Sequence, residues 1–192
     1  MIIVFTNPSP ILNEHEQINE MFEEGLVKLH VKKNDFDLVQ MKNWMQQINS
    51  AYYNRIVLHG FQELNDEFGI KNIHFSEEFR KSYTSIDFKN EFKYSTSIHN
   101  VNSLEEIHSN YSYVFLGPVF ESISKPNYKS KEKLSLSGIE KKTKVIGIGG
   151  IDSKEKIEEL KARNFDGAAL LGGIWNNSNA LNKFKELNSA WN

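Results

Sequence analysis

The segment "KVIGIGGIDSKEKIEELKARNFDGAALLGGI", residues 144–174, contains the pattern that decides the fold. A short apolar run at Lys144–Ile148 is followed by a charged, amphipathic stretch at Ser153–Asn164 and by a second apolar run at Gly167–Leu171. Two strands joined by a crossover helix are parallel neighbours in one sheet. The segment therefore predicts a strand–helix–strand unit.

The same alternation extends along all 192 residues. Eight repeats favour a closed barrel over an open doubly wound sheet, and ~200 residues is near the lower limit for that fold. We predict the α/β class, a minimal (β/α)8 TIM barrel, as a single domain over residues 1–192; a six-stranded open sheet is the alternative. The predicted strands are Ile2–Thr6, Val27–Lys32, Arg55–His59, Asn72–Phe75, Tyr94–His99, Tyr113–Leu116, Lys144–Ile148 and Gly167–Leu171. The predicted helices are Glu14–Glu24, Asp37–Ala51, Gln62–Phe68, Glu77–Phe92, Leu104–Asn110, Ser137–Lys142, Ser153–Asn164 and Ala180–Ala190.

Composition excludes several classes of function. A net charge of −2 gives no basic field for nucleic acid, and the absence of cysteine removes disulfides, thiolate metal sites and a cysteine nucleophile. No segment approaches the roughly 20 apolar residues of a membrane span. The first residues, "MIIVFTNPSP", lack the basic start and long apolar stretch of a signal peptide, so we expect a cytoplasmic protein. The oligomeric state is left open, with a homodimer as the alternative to a monomer.

Polar residues collect where the predicted strands end, and in a barrel these ends form the functional face. In strand two, Lys28, His30 and Lys32 alternate with apolar residues, so they share one face, which we expect to point toward the barrel mouth. The alternative is the solvated face of an edge strand. A single histidine is usually a packed rim residue, but four predicted strands carry one near their ends. These polar residues are His30, His59, His74, Ser97 and His99.

Two glycine pairs indicate a phosphate site. Gly149-Gly150 precedes a predicted helix start, and Gly172-Gly173 follows strand eight. Glycines allow a ligand to approach the backbone closely, and a helix N-terminus offers N–H groups to an anion. A phosphate site after strands seven and eight is common in this fold.

The segment "YVFLGPVFESISKPNY", residues 113–128, indicates a second anion-binding element. Its hydroxyls, Ser122 and Ser124, and the charge of Lys125 would lie over the same mouth. The loop continues to about Lys133, long enough to act as a lid. A solvated basic loop is the alternative.

The runs "YVFLGPVFESISK", "VIGIGGI", "DGAALLGGI" and "SIHNVNSLEEI" resemble the thiamine phosphate synthase/TenI family of (β/α)8 barrels, in the right order along nearly the whole chain. The resemblance implies small phosphorylated heterocyclic substrates. The synthase joins an aminopyrimidine diphosphate to a thiazole phosphate and releases diphosphate with Mg²⁺. TenI-type relatives isomerise a thiazole carboxylate phosphate.

The resemblance carries over to part of the family's site. Ser122, Ser124 and Lys125 match its hydroxyl–hydroxyl–lysine run, Ser97 matches its strand-five serine, and Lys32 matches the last lysine of its strand-two motif. The two metal-binding aspartates are replaced by Gly60 and Phe79. Mg²⁺ would therefore need other ligands, such as Glu77 or Glu78, and we identify no metal site from the sequence. The catalytic histidine of the TenI type is replaced by Pro118.

Three functions follow from these observations: a divergent thiamine phosphate synthase, a thiazole phosphate tautomerase, and a module that binds thiamine phosphate without turnover. In a synthase, charged His30 and His59 would assist Lys28 and Lys32 in place of the metal; in a tautomerase, a neutral histidine would be the base. The predicted catalytic residues are Lys32, Lys125, His30 and His59. The predicted substrate- and phosphate-binding residues are Lys28, Ser97, Ser122, Ser124, Lys125, Gly149, Gly150, Gly172 and Gly173.

Overall fold

The computed structural model describes residues 1–83, 85–121 and 134–192, and it contains a closed barrel of eight parallel strands. Each strand pairs with the next along the chain, and the last pairs with the first, with Ile2 beside Ala168. This confirms the predicted (β/α)8 barrel, and the open six-stranded sheet is wrong. The strands are β1 (Ile2–Phe5), β2 (Lys28–Val31), β3 (Ile56–Leu58), β4 (Asn72–Phe75), β5 (Lys93–Ile98), β6 (Tyr111–Leu116), β7 (Lys144–Ile148) and β8 (Gly167–Leu170).

Helices cover the outside of the barrel over the described residues. The apolar side chains of α1, α2, α5 and α7 pack against the outward-facing strand residues in one large core. The helices are α1 (Glu14–Glu23), α2 (Leu38–Met45), α3 (Leu64–Glu67), α4 (Glu77–Ser82), α5 (Lys154–Ala162), α6 (Gly172–Trp175) and α7 (Ala180–Trp191), with 3-10 helices at Ser50–Arg55 and Val101–Leu104.

Two predicted helices do not form. In place of Leu104–Asn110, a single 3-10 turn begins after Asn100, whose side-chain oxygen accepts a hydrogen bond from the Asn102 N–H at 3.0 Å. Such local side-chain bonds compete with a helix. In place of Ser137–Lys142 the chain turns, because its contacts are tertiary: the Lys141 ammonium bonds both carboxylate oxygens of Asp166 at 2.8 Å. The predicted helix Glu77–Phe92 is shortened to α4.

Inside the barrel, a smaller apolar cluster fills part of the space between the strands. Ile3, Phe5, Tyr113, Phe115 and Ile146 belong to it. Because side chains alternate between the two faces of a strand, the neighbours of these residues in register also point inward. No helix in the described part of the chain is long and apolar enough to cross a membrane.

Candidate functional site

A cavity of about 870 Å³ opens at the carboxyl ends of the strands. This is the end at which barrels of this kind hold their ligands. Its wall combines apolar rings, backbone and polar side chains from several strand ends. The lining residues are Phe5, Lys32, His59, His74, Ser76, Glu77, Glu78, Lys81, Ser97, Ile98, His99, Phe115, Gly117, Pro118, Ile148 and Gly149.

The register of the first four strands brings three histidines together at the floor of this cavity. His30 pairs with Phe5 of β1, and the pairing of Leu58 with Ile73 sets His59 beside His74 one step later. Phe5 is an interior residue, so all three imidazoles point into the barrel. We call His30, His59 and His74 the histidine cluster.

The rings of the histidine cluster are in direct contact. His30 Nδ1 lies 2.8 Å from His59 Nε2, and His30 Nε2 lies 2.6 Å from the Tyr113 hydroxyl. The His59 and His74 rings stack with centroids 4.5 Å apart. His74 Nδ1 lies 3.0 Å from the Ser95 hydroxyl, and its Nε2 lies 3.2 Å from that of Ser97. Among the described residues, these hydrogen-bond contacts of the histidine cluster join imidazole and hydroxyl groups, and none of them involves a carboxylate.

Burial keeps this cluster neutral. Burial, followed by the positive charge of Lys32, lowers the pKa of His59 to about 4. Burial also lowers the pKa values of His30 and His74 well below 6.5, with smaller contributions from neighbouring histidines and lysines. At pH 7 the three rings are uncharged, so the alternative in which His30 and His59 act as fixed cations does not hold.

The lysines of β2 and its following loop lie in different environments. Lys32 lines the cavity and is exposed. Lys28 also points inward, but it begins β2, and its ammonium donates to Asn72 at the start of β4 and to the Asn54 carbonyl at 3.3 Å. The expectation that Lys28 faces the mouth is therefore wrong, because the strand carries it to the opposite end of the barrel.

On the other side of the mouth, α4 and the end of β5 supply acidic and basic groups. Glu77 accepts from His99 at 2.5 Å and from Lys81 at 2.7 Å. Burial acts to raise the pKa of Glu77, but the bonds from Lys81 and His99 outweigh it and lower that pKa. Glu78 also lines the cavity. Carboxylates thus line the cavity next to Phe79, one of the two positions at which the aspartates of the resemblance are lost.

The predicted glycines differ in their surroundings. Gly149 lines the cavity. At Gly150 a Cβ would lie 2.3 Å from the Glu121 carbonyl oxygen, and at Gly173 it would lie 2.1 Å from that of Ile151. Close backbone packing therefore requires these two glycines whether or not a phosphate binds. Gly172 begins the four-residue helix α6 and has more open space around its backbone.

The structure brings together His30, His59, Lys32, Ser97 and Gly149 of the predicted site residues. Ser122, Ser124 and Lys125 lie outside the described residues. Sequence reasoning missed Tyr113 and Phe115, which hold and flank the histidine cluster. The alternation of β6 could have placed both of them on one face, but their contact with His30 depends on closure of the barrel.

The structure is thus a (β/α)8 barrel with a cavity at the carboxyl ends of its strands. The TMP-TENI family model, described as thiamine monophosphate synthase, matches residues 2–174. The chain therefore belongs to the thiamine monophosphate synthase family. A comparison with curated protein sequences finds no match.

Solved structures show the same fold. Thiamine phosphate pyrophosphorylase from Bacteroides thetaiotaomicron is 28% identical, with a TM-score of 0.78 over 98% of this chain and 96% of that one. Thiamine phosphate pyrophosphorylase from Pyrococcus furiosus is 14% identical, with a TM-score of 0.74 over 99% and 94%. (S)-3-O-geranylgeranylglyceryl phosphate synthase from Thermoplasma acidophilum, in complex with sn-glycerol-1-phosphate, is 12% identical, with a TM-score of 0.65 over 98% and 92%. The last two likenesses concern the fold alone.

Proposed function

We propose that this protein is a thiamine phosphate synthase that joins an aminopyrimidine diphosphate to a thiazole phosphate in the mouth cavity. The observation that carries the proposal is the composition of the cavity wall. Lys32, Ser97 and Gly149 line it together: the first two match site residues of the family, and Gly149 belongs to a glycine pair predicted to bind phosphate. A volume of about 870 Å³ lies within the ordinary range for small-molecule sites.

The reaction needs charge stabilisation more than proton transfer. The bond between the pyrimidine methylene carbon and the diphosphate oxygen breaks, and its electron pair leaves with diphosphate. The lone pair of the thiazole nitrogen then forms the new C–N bond. In this proposal Lys32 pairs with the departing diphosphate, while Phe5 and Phe115 in the cavity wall face the cation-like methylene. Ser122, Ser124 and Lys125 are proposed, on the sequence resemblance, as further phosphate donors.

The residues present do not fit the Mg²⁺ site that the family implies. Mg²⁺ prefers oxygen ligands in near-octahedral geometry. Imidazole nitrogens form the cavity floor, and the carboxylate of Glu77 is already bound by Lys81 and His99. Glu78 alone is not a Mg²⁺ site. We therefore assign no step to this ion and expect turnover that depends weakly on it.

The deciding experiment is direct. The purified protein is incubated with both synthase substrates, with and without Mg²⁺, and thiamine phosphate is measured. Lys32→Ala should lower the rate, while Lys144→Ala, at the opposite end of the barrel, should not. The absence of product under every condition would reject the synthase proposal.

A second candidate is a tautomerase acting on a thiazole phosphate. The neutral imidazole of His59 in the cavity wall favours it, because a base must be unprotonated to accept a proton. Solvent deuterium exchange into a thiazole carboxylate phosphate, lost in His59→Gln but retained in Lys144→Ala, would support this function. Exchange that survives His59→Gln would reject His59 as its base.

A further inference from the structure

The histidine cluster has a donor set that the synthase reaction does not require and of which the tautomerase candidate would use His59 alone. Three imidazoles, His30, His59 and His74, each present one ring nitrogen, and these atoms lie within 4.8 Å of one another. We propose that the histidine cluster is a binding site for a divalent transition metal ion of the zinc class. The site does not depend on the synthase proposal.

Because the three donor nitrogens lie within 4.8 Å of one another, side-chain rotations that shorten the longest separation by up to about 1.5 Å would close the site. Zinc–imidazole bonds of 2.0–2.1 Å at tetrahedral angles set neighbouring nitrogens about 3.3 Å apart. His30 Nδ1 and His59 Nε2 are at 2.8 Å, so these two nitrogens need to separate by only about half an ångström. In the metal-free protein this contact is a hydrogen bond, and the ion replaces its shared proton.

The ring nitrogens of His74 and His30 that would not bind the metal are held by hydrogen bonds, as metal-binding histidines require. The Ser95 hydroxyl donates to the Ile73 carbonyl at 3.3 Å, so it accepts from the Nδ1–H of His74. This bonding pattern makes His74 Nε2 an acceptor, whose lone pair faces the Ser97 hydroxyl at 3.2 Å, and a bound metal would take the place of that hydroxyl. Tyr113 holds His30 Nε2 at 2.6 Å, which directs His30 Nδ1 toward the same point. Partners of this kind fix ring tautomer and orientation in known metal sites.

The surroundings indicate both the class of ion and the remaining ligand. Imidazole suits zinc, copper, nickel and iron, whereas magnesium and calcium prefer oxygen. The rings of Phe5 and Phe115 lie 4.8 and 4.9 Å from that of His30 and form an apolar shell around the cluster. His59 and His74 line the cavity, so a fourth coordination position opens onto it. Three protein ligands and one open position are typical of catalytic zinc.

The test is metal binding to the full chain, freed of any tag and stripped with a chelator. We expect calorimetry to show one Zn²⁺ per chain, and Co²⁺ to give the ligand-field absorption bands of a tetrahedral site. His59→Gln should weaken Zn²⁺ binding by ~100-fold or more, and Tyr113→Phe, which keeps the aromatic ring, by roughly 10- to 100-fold. His99→Gln is the control, because His99 lines the same cavity outside the cluster.

Binding that is lost in His99→Gln, or that is unchanged in both His59→Gln and Tyr113→Phe, would overturn the proposal, as would the absence of bound ion. If His59→Gln does not fold, Tyr113→Phe decides: unchanged affinity in that variant overturns the site. Zn²⁺ binding without thiamine phosphate formation would support this site and reject the synthase. Thiamine phosphate formation without Zn²⁺ binding would do the reverse.

Discussion

Two buried polar groups lie near the carboxyl end of β2, and they differ in charge and in access to the cavity. One is the ion pair of Lys33 with Glu14, whose side chains are 0% and 1% exposed. The other is the histidine cluster, which begins with His30 three residues earlier. The ion pair lies between α1 and the loops at the strand ends, whereas the histidine cluster lies inside the barrel.

The ion pair is closed to ligands, because its partners come from the surrounding structure. Lys33 donates to both Glu14 oxygens, at 2.8 and 2.6 Å, and to the Asn7 carbonyl at 2.6 Å. Trp44 donates to the same carboxylate at 3.2 Å. In the histidine cluster, two of the rings line the cavity instead. We infer that the Lys33–Glu14 ion pair holds the loops in place, whereas the histidine cluster is placed to contact a ligand in the cavity.

The largest expected effect comes from breaking the ion pair. Glu14→Ala leaves the Lys33 ammonium buried without its carboxylate, and such a loss costs about 3–5 kcal/mol of unfolding free energy. Urea unfolding measures it. The matched control is Glu24→Ala, because Glu24 pairs with Lys185 at 2.6 Å in a pair that is nearly half exposed. That pair should contribute no more than about 1 kcal/mol. Equal effects of the two changes would contradict the structural role of the buried pair.

Acid should destabilise the protein through the histidine cluster. The folded state keeps His59 neutral down to about pH 4, whereas the unfolded chain takes up that proton near pH 6.5. The contribution of His59 to the free energy of unfolding is therefore fully present above pH 6.5 and is lost as the pH falls toward 4. The difference corresponds to about 3 kcal/mol for His59 alone. His30 and His74 act in the same direction.

The measurement is the free energy of unfolding between pH 7 and 4 for wild type and His59→Gln. We expect the variant to lose less stability across this range, by about 3 kcal/mol. Ionisation of the Lys33–Glu14 pair is common to both proteins and cancels in the comparison. Parallel profiles would mean that His59 is not kept neutral by the fold.

The adjacent residues Lys32 and Lys33 allow the same comparison between the cavity and the buried ion pair. Lys32 is exposed in the cavity wall, so Lys32→Ala should change the unfolding free energy by less than about 0.5 kcal/mol. Binding of inorganic diphosphate should fall roughly 10- to 150-fold, because a charge-assisted hydrogen bond is worth about 1.5–3 kcal/mol. Titration calorimetry on wild type, Lys32→Ala and the control Lys144→Ala measures this. An unchanged dissociation constant in Lys32→Ala would remove it from the proposed site.

The barrel could be predicted because its information is local. All eight strands form close to their predicted positions, since apolar runs and helix-period stretches alternate within short windows. The helices at Leu104–Asn110 and Ser137–Lys142 failed for the opposite reason. The conformation of these two segments depends on the Asn100 cap and on the Lys141–Asp166 pair. The spacing of apolar residues along the sequence predicts neither contact.

The site was predicted only where strand alternation was sufficient. Alternation placed His30 inside the barrel, but it could not distinguish the two ends, so Lys28 was assigned to the wrong one. The contact of His30 with Tyr113 joins residues 83 positions apart, and it follows from closure of the barrel. The neutrality of His30 and His59 follows from their burial inside the closed barrel. The extent of that burial cannot be predicted from the residue types and their spacing alone.

The smallest expected effect distinguishes the two sides of the His74 ring. Ser95 is 1% exposed and accepts from His74 Nδ1, whereas Ser97 contacts Nε2 at the cavity wall. Ser97→Ala should cost about 0.5–1.5 kcal/mol or less, because water in the cavity can replace the hydroxyl. Ser95→Ala leaves a buried donor unpaired and should cost about 1–3 kcal/mol. Urea unfolding of both variants, without added metal, makes the comparison. If Ser97→Ala proved the more costly change, the fold would hold the His74 ring through Nε2 and not through Nδ1. Nε2 would then no longer be the nitrogen that faces a ligand in the cavity.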